Sequence, residues 1–251
     1  MERELCQASW LGLVPYEEAW RLQEKLAREI GIGEEPACLL LLEHPHSFTS
    51  GRSTKPGHLL WDESELIQKN VLVYEVDRGG DITYHGPGQL VGYPLFRLAK
   101  TVTDGNRIPS ADYVGFLRKI EEALILTLSK FGIEGIQRPG FTGVWVAEGS
   151  SIGGKNSTKD IGVYSNKIAS IGVKVDVNGV SRHGFSLNVN PDMEYWNGII
   201  PCGLDGVSMT SMAENIGKVP EMERVVEEII RSFEKVFDLE ISVTNNLFTA
   251  G

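Results

Sequence analysis

The 251-residue chain has no apolar run close to the roughly 18 residues that a membrane-spanning helix needs. Met1 to Leu13 lack the basic-then-apolar pattern of a secretory signal, so the expected location is the cytoplasm, with no membrane partner. Basic residues are in deficit: 24 Lys and Arg stand against 34 Asp and Glu, for a net charge of -10. That balance argues against bulk attraction to nucleic acid or anionic lipid. Cysteine is scarce and odd in number, with only Cys6, Cys38 and Cys202 and no Cys-x-x-Cys spacing, which disfavours a disulfide framework and a cysteine-rich zinc site. A phosphate loop of the form GxxxxGK[ST] is missing. There is also no internal repeat or linker, so residues 1–251 are expected to form one domain.

The composition is that of an ordinary soluble globular chain, 41% hydrophobic and 23% charged. Three helices follow from 3.6-residue periodicity. The first carries Ala19, Leu22, Leu26 and Ile30 and is stopped by Gly31 and Gly33. The second starts after Ser110 as N-cap, turns Val114, Leu117, Ala123, Leu124 and Leu128 inward, and ends at Gly132. The third shows one stripe, Met222, Val225, Val226, Ile229, Ile230, Phe233, Val236 and Phe237, opposite a solvated glutamate face. Strands are expected at Cys38–Glu43, Val71–Val76, Gln89–Phe96, Gly143–Val146, Ile168–Val177 and Ser186–Val189. Strands outnumber helices and cluster, which predicts a mixed α/β (α+β) fold with one main sheet rather than a regular βαβ repeat.

Three stretches carry chemistry-bearing residues. Arg78 to Gln89, RGGDITYHGPGQ, holds four glycines among an arginine, a histidine and two hydroxyls; glycine permits positive φ and close backbone approach, though Gly-Pro-Gly also marks a plain turn. Lys167 opens a strand, KIASIGV, whose interior Gly172 suits close approach of a ligand; a lysine at a strand mouth is ordinarily a solvated charge. HGFSLNVNP (183–191) is followed by IPCG, in which Cys202 sits between Pro201 and Gly203, a loop setting unlike the apolar flanks of Cys38. Cys38 reads as a small buried hydrophobe. Of the five histidines, His44 and His46 flank Pro45, and His58, His85 and His183 bring no carboxylate or cysteine beside them. Hydrogen-bonding roles are therefore expected rather than a metal site.

In order and spacing, RGGDITYHGPGQLVGYP, KIASIGV, HGFSLNVNP and IPCG with the following GVSMTSM resemble the lipoyl(octanoyl) transferase family. LEHP at 42–45 and FTGVWV at 141–146 are similar too, so the resemblance runs from Leu39 to Met212. It implies the fold of biotin- and lipoate-protein ligases, a mixed sheet flanked by helices. It also implies an acyl pocket lined by Arg78, Gly79, Gly80, Asp81, Ile82, Thr83, Tyr84 and His85, with Ser170, Ile171 and Gly172 and with Gly184, Phe185 and Ser186. Two features depart from the family pattern: the Gly-, Ser- and Lys-rich segment Glu148–Gly162 is longer, and Ser186 stands where alanine is common.

The activity implied is an acyltransferase reaction in protein lipoylation. Octanoyl-acyl carrier protein would be the donor, and lipoyl domains of 2-oxoacid dehydrogenases and the glycine cleavage H protein the acceptors. Cys202 would be the nucleophile and Lys167 the group that favours its thiolate and moves a proton. Thioester to amide runs downhill, so neither ATP nor another cofactor is expected. The rival on the same fold is an ATP-dependent lipoate-protein ligase, which needs no cysteine nucleophile; a non-catalytic acyl-binding protein would need neither Cys202 nor Lys167. Lys155 and Lys159, in a locally basic stretch of an acidic chain, are candidates for docking an acidic carrier domain.

Overall fold

Leu39 to Leu42 form an unbroken apolar run because β2 (Ala37–Glu43) is covered on both faces, which gives a central strand its continuous hydrophobicity. The computed structural model describes residues 3–99, 112–147, 166–201 and 207–244. Around β2 lie β1 (Glu4–Leu13), β6 (Gln89–Leu95), β7 (Gly135–Arg138), β8 (Phe141–Val146), β9 (Asn166–Val175), β10 (Ser181–Asn188) and β12 (Leu239–Val243). They form one mixed sheet in the order β12-β1-β2-β6-β10-β9-β8-β7. β1 runs parallel to both neighbours, and the pairs from β2 through β7 are antiparallel. A smaller sheet, β4-β3-β5, is built from β3 (Ser47–Ser50), β4 (Leu72–Glu75) and β5 (Thr83–His85).

One face of the main sheet is covered by α1 (Tyr16–Ile32), whose Ala19, Leu26, Ala27 and Ile30 pack on Leu40, Leu42, Val91 and Leu95. Gly33 ends α1 in the left-handed conformation that glycine adopts without penalty. The other face is covered by α3 (Tyr113–Lys130) and α5 (Met222–Phe237) over Leu39, Leu41, Leu90, Phe185 and Leu187. α5 keeps the predicted boundaries. The buried stripe of α3 is Phe116, Ile120, Ala123, Leu124 and Leu128, so Val114, expected inward, is 67% exposed instead. The N-cap of α3 is Asp112, which accepts from the Gly115 N–H; Ser110, the expected cap, lies outside the described residues. α2 (Glu63–Gln68) and α4 (Met212–Ile216) are short and both open with capping boxes, at Asp62 and Ser211. No helix among the described residues is long and apolar enough to cross a membrane.

The feature that matters most for function is a strand substitution at one end of β9. β10 pairs with β9 only as far as Leu187–Ala169. Beyond that point β11 (Ser208–Met209) takes its place, parallel to β9, with Ser208 opposite Asn166 and Met209 opposite Lys167. The Thr210 N–H donates to the Lys167 carbonyl at 3.0 Å, and the Asn188 side-chain amide at the end of β10 donates to the Thr210 carbonyl at 2.9 Å. The chain thus returns to Lys167 soon after the Pro-Cys-Gly segment.

Candidate active site

A cavity of about 380 Å³ opens over β9 and β10 because neighbouring positions on one sheet face carry almost no side chain. Gly172 pairs with Gly184 and Ser170 with Ser186, and all four line the cavity, with Val91 and Tyr93 of β6 beside them. Residues 78–85 form the roof. Floor and roof converge at Gly172, where a Cβ would sit 3.0 Å from the Gly79 carbonyl oxygen and 3.1 Å from Arg78 Cδ. The close approach that the glycine in this strand suggested is therefore made by the protein's own roof. From Lys167 to Val173 the strand advances roughly 20 Å at its usual rise per residue, so these two lining residues mark opposite ends.

Arg78 builds the roof. Its Nη1 donates to the carbonyls of Gly79 (3.0 Å) and Asp81 (2.7 Å), and its Nη2 to the carbonyl (2.5 Å) and hydroxyl (2.9 Å) of Thr49. Asp81 accepts from the Ile82 N–H and from Nδ1 of His58, each at 2.7 Å. The carbonyl of that same His58 accepts from the Ile200 N–H at 2.8 Å. Roof and the approach to Cys202 are thereby tied through one histidine. Among the described residues, the hydroxyls of Thr83 and Ser170 are buried and have no hydrogen-bond partner, so the cavity presents two polar groups available to a bound molecule.

The far end is a cluster of neutral imidazoles and phenols. His44 Nδ1 donates to the Val14 carbonyl, so its Nε2 must accept from the Tyr93 hydroxyl, both at 2.7 Å. Complete burial holds His44 down to about 4. Burial, with His44 nearby, likewise pushes His85 well below the ordinary histidine value. Since the Gln89 amide already donates to Tyr84 and Asn188, its oxygen accepts from His85 Nδ1 at 2.8 Å. His183 adopts a left-handed φ of 56°, and its Nε2 donates to Asp77 at 2.7 Å. Burial pushes the Asp77 carboxyl up, but hydrogen bonds from His183 and Lys174 and the charge of Arg182 outweigh it and hold it well below the usual range.

At the opposite end is Lys167, only 3% exposed, where the sequence alone suggested a solvated charge. Its ammonium lies over the Trp145 ring, 5.5 Å from the centroid. Gly143, with φ 117°, makes room: a Cβ there would stand 2.5 Å from Lys167 Cε and 3.2 Å from Nζ. The Gly143 N–H donates to buried Glu121 at 2.9 Å, and Glu121 also accepts from Arg118 at 2.6 Å. Leu117, Gly140, Phe141 and Thr142 complete the described part of this end.

With this geometry in place, the profile of the lipoyl protein ligase A/B catalytic domain matches residues 15–234. The chain belongs to this family. Curated relatives bear the name octanoyltransferase: that of Chloroflexus aggregans is 39% identical over 229 residues, covering 91% of this chain and 93% of the relative. The octanoyltransferase of Roseiflexus sp. is 40% identical over 241 residues, covering 96% and 90%. Among solved structures, a bi-partite lipoate protein ligase from Thermoplasma acidophilum aligns with a TM-score of 0.65 at 14% identity, over 97% of this chain and 89% of that one. A lipoate-protein ligase A bound with ATP aligns with a TM-score of 0.64 at 17% identity, over 98% and 91%. At such identities the likeness speaks for the fold, which is the mixed sheet flanked by helices that the resemblance implied.

In this member of the lipoyl ligase A/B family, Arg78, Gly79, Gly80, Asp81, Ile82, Thr83, His85, Ser170, Ile171, Gly172, Gly184, Phe185, Ser186 and Lys167 all line this cavity. Tyr84, grouped with them on resemblance, does not. It alternates to the other side of β5, packs on Phe48 and Trp196, and is hydrogen-bonded to His46 at 2.9 Å. Cys202 lies outside the described residues, as does Glu148–Gly162. Tyr16, Tyr93, His183, Gly143 and Trp145 went unnamed as site residues in the sequence reading, although FTGVWV and HGFS were singled out as motifs.

Burial pushes Cys6 up to about 12 and Cys38 well above the ordinary thiol value, so neither holds a thiolate at neutral pH. Iodoacetamide applied to the folded protein at pH 8 is therefore expected to leave Cys6 and Cys38 unmodified and to label only Cys202, as read by peptide mapping. Labelling of Cys38 at a comparable rate would contradict this.

Proposed function

We propose that this chain is an octanoyltransferase that moves an octanoyl group from octanoyl-acyl carrier protein to a lysine of a lipoyl domain, acting as one catalytic unit in the cytoplasm. The observation that carries this reading is the 39–40% identity, over nine-tenths of both chains, to relatives named octanoyltransferase. A cavity of about 380 Å³ with a buried lysine in its lining supports it.

In the first step the Cys202 thiolate attacks the donor thioester carbonyl. The new S–C bond forms as the bond to the carrier thiol breaks, and the departing thiolate takes up a proton. In the second, the acceptor amine attacks the octanoyl-Cys202 thioester. An amide forms, the amine loses a proton and the cysteine thiolate is regenerated. Lys167 favours that thiolate by its charge and exchanges the proton, and Arg78 to Thr83 and His85, with Ser170 to Gly172 and Gly184 to Ser186, enclose the acyl chain. No cofactor enters either step. Acceptors of this class are the lipoyl domains of 2-oxoacid dehydrogenases and the glycine cleavage H protein.

The test is intact-mass measurement after mixing with octanoyl-acyl carrier protein in the absence of ATP. One octanoyl group should appear on the protein, map to Cys202, be released by hydroxylamine and pass to an added lipoyl domain. Acylation only with free octanoate and ATP would sink the transferase reading and leave a ligase.

A further inference from the structure

A buried ammonium must replace its lost hydration with specific partners, or it will shed its proton or swing away. The arrangement around Lys167 addresses this through an aromatic face. Trp145 and Lys167 are cross-strand partners in the β8–β9 ladder, and a register shift between Val144 and Trp145 brings this tryptophan opposite the lysine. The indole is fully buried, and Lys167 Nζ stands 5.5 Å from its centroid, within the range of a cation–π contact that strengthens when water is excluded. A second cation addresses the same ring: Arg138 of β7 lies with its Cζ 5.0 Å from the Trp145 centroid and 4.4 Å from that of Phe141.

We infer that Trp145 is a positioning residue for Lys167: its ring holds the ammonium in place and in charged form, and Arg138, on the same ring, opposes that charge. The inference deepens the transferase reading, in which Lys167 works as a cation beside Cys202. Among the described residues, the other charged groups hydrogen-bonded at this corner are Glu121 and Arg118 of α3. These hydrogen-bond to each other, and Glu121 also accepts from the Gly143 N–H. Gly143 keeps the path open, since any side chain there would displace the lysine. Opposite signs follow for the two neighbours: removing the ring destabilises the ammonium, and removing Arg138 stabilises it.

The test is a ¹³C NMR titration of the labelled Lys167 side chain, assigned with Lys167→Met, alongside the pH–rate profile of octanoyl transfer. Trp145→Leu should move the loss of the ammonium signal to lower pH by roughly one unit, in line with a desolvated cation–π contact. Trp145→Phe should retain most of the wild-type midpoint, and Arg138→Gln should move it upward. The basic limb of the rate profile should follow in the same directions. An unchanged midpoint in Trp145→Leu, or shifts of the same sign in Trp145→Leu and Arg138→Gln, overturns the inference. If Trp145→Leu does not fold, Arg138→Gln decides, because a midpoint identical to wild type is fatal to the shared-ring account. Full transfer activity in Lys167→Met would instead remove the catalytic role of the lysine and leave the titration result to stand by itself.

Discussion

Lys167→Ala is expected to slow octanoyl transfer by roughly 10²–10⁴-fold, the usual effect of removing a positioned proton-transfer group. Lys167 is almost wholly buried, and an ammonium in that position costs free energy that a structural role does not require. The cost becomes intelligible if the charge acts on a thiolate: in a water-poor corner, one positive charge favours the anionic form of a neighbouring thiol far more than it would in solvent. The chain itself supports that neighbourhood. Met209, which is 209 − 202 = 7 positions beyond Cys202, pairs with Lys167, and Ile200, 202 − 200 = 2 positions before it, is held by the carbonyl of His58. Lys167→Ala should accordingly shift the pH dependence of Cys202 alkylation upward. Lys167→Arg keeps a charge but gives up proton exchange, so it should preserve alkylation better than transfer. Single-turnover acylation followed by mass spectrometry, with alkylation measured from pH 6 to 9, separates the two roles. Wild-type alkylation in the alanine variant would remove the charge role altogether.

Much of the scaffold was legible because the relevant residues obey one rule at a time. α5 shows a pure 3.6-residue stripe, and β2 a pure apolar run, so both could be read directly. In α3 the expected Ala123, Leu124 and Leu128 are buried as the stripe required, but Val114 is apolar yet exposed, and Phe116 and Ile120 complete the buried face at the start of the helix. β11 is two residues long and has no pattern of its own; only its pairing with β9 makes it a strand. For the same reason the nearness of the chain beyond Cys202 to Lys167 could be suggested by resemblance but not by periodicity. The cavity was legible in part: the glycines at 172 and 184 announced missing side chains, but not that two strands align them into one floor. Trp145 was hidden by a different ambiguity, since an aromatic residue in a buried strand is ordinarily core, and only the cations on its ring distinguish it.

Stability is expected to fall by roughly 2 kcal/mol or more between pH 7.5 and pH 5, well before ordinary carboxylates titrate. The source is the imidazole cluster at the far end of the cavity. His44 is wholly buried and held at about 4, against an ordinary value of 6.5. Its folded value lies below its unfolded value, so the unfolded chain takes up a proton first as the pH drops. The stability is thus fully present above 6.5 and is lost as the pH falls toward 4. A gap of about 2.5 units corresponds to roughly 3 kcal/mol when fully expressed, of which roughly 2 is lost by pH 5. His85 adds to the loss in the same direction: its ring centroid is 5.6 Å from that of His44, and a proton on either ring would oppose one on the other. His183 adds less, because its hydrogen bond to Asp77 counters part of the burial effect. Asp77, also depressed in the folded protein, acts in the same direction, but its contribution is lost only below the ordinary carboxylate range and so lies outside this window. Urea midpoints at pH 7.5, 6 and 5, together with imidazole NMR at each pH, test the account. The His44 and His85 resonances should remain those of neutral rings in the folded protein while the midpoint drops. A midpoint that stays level from 7.5 to 5, or a His44 ring that protonates in the folded state near pH 6.5, would rule out buried neutral imidazoles as the source.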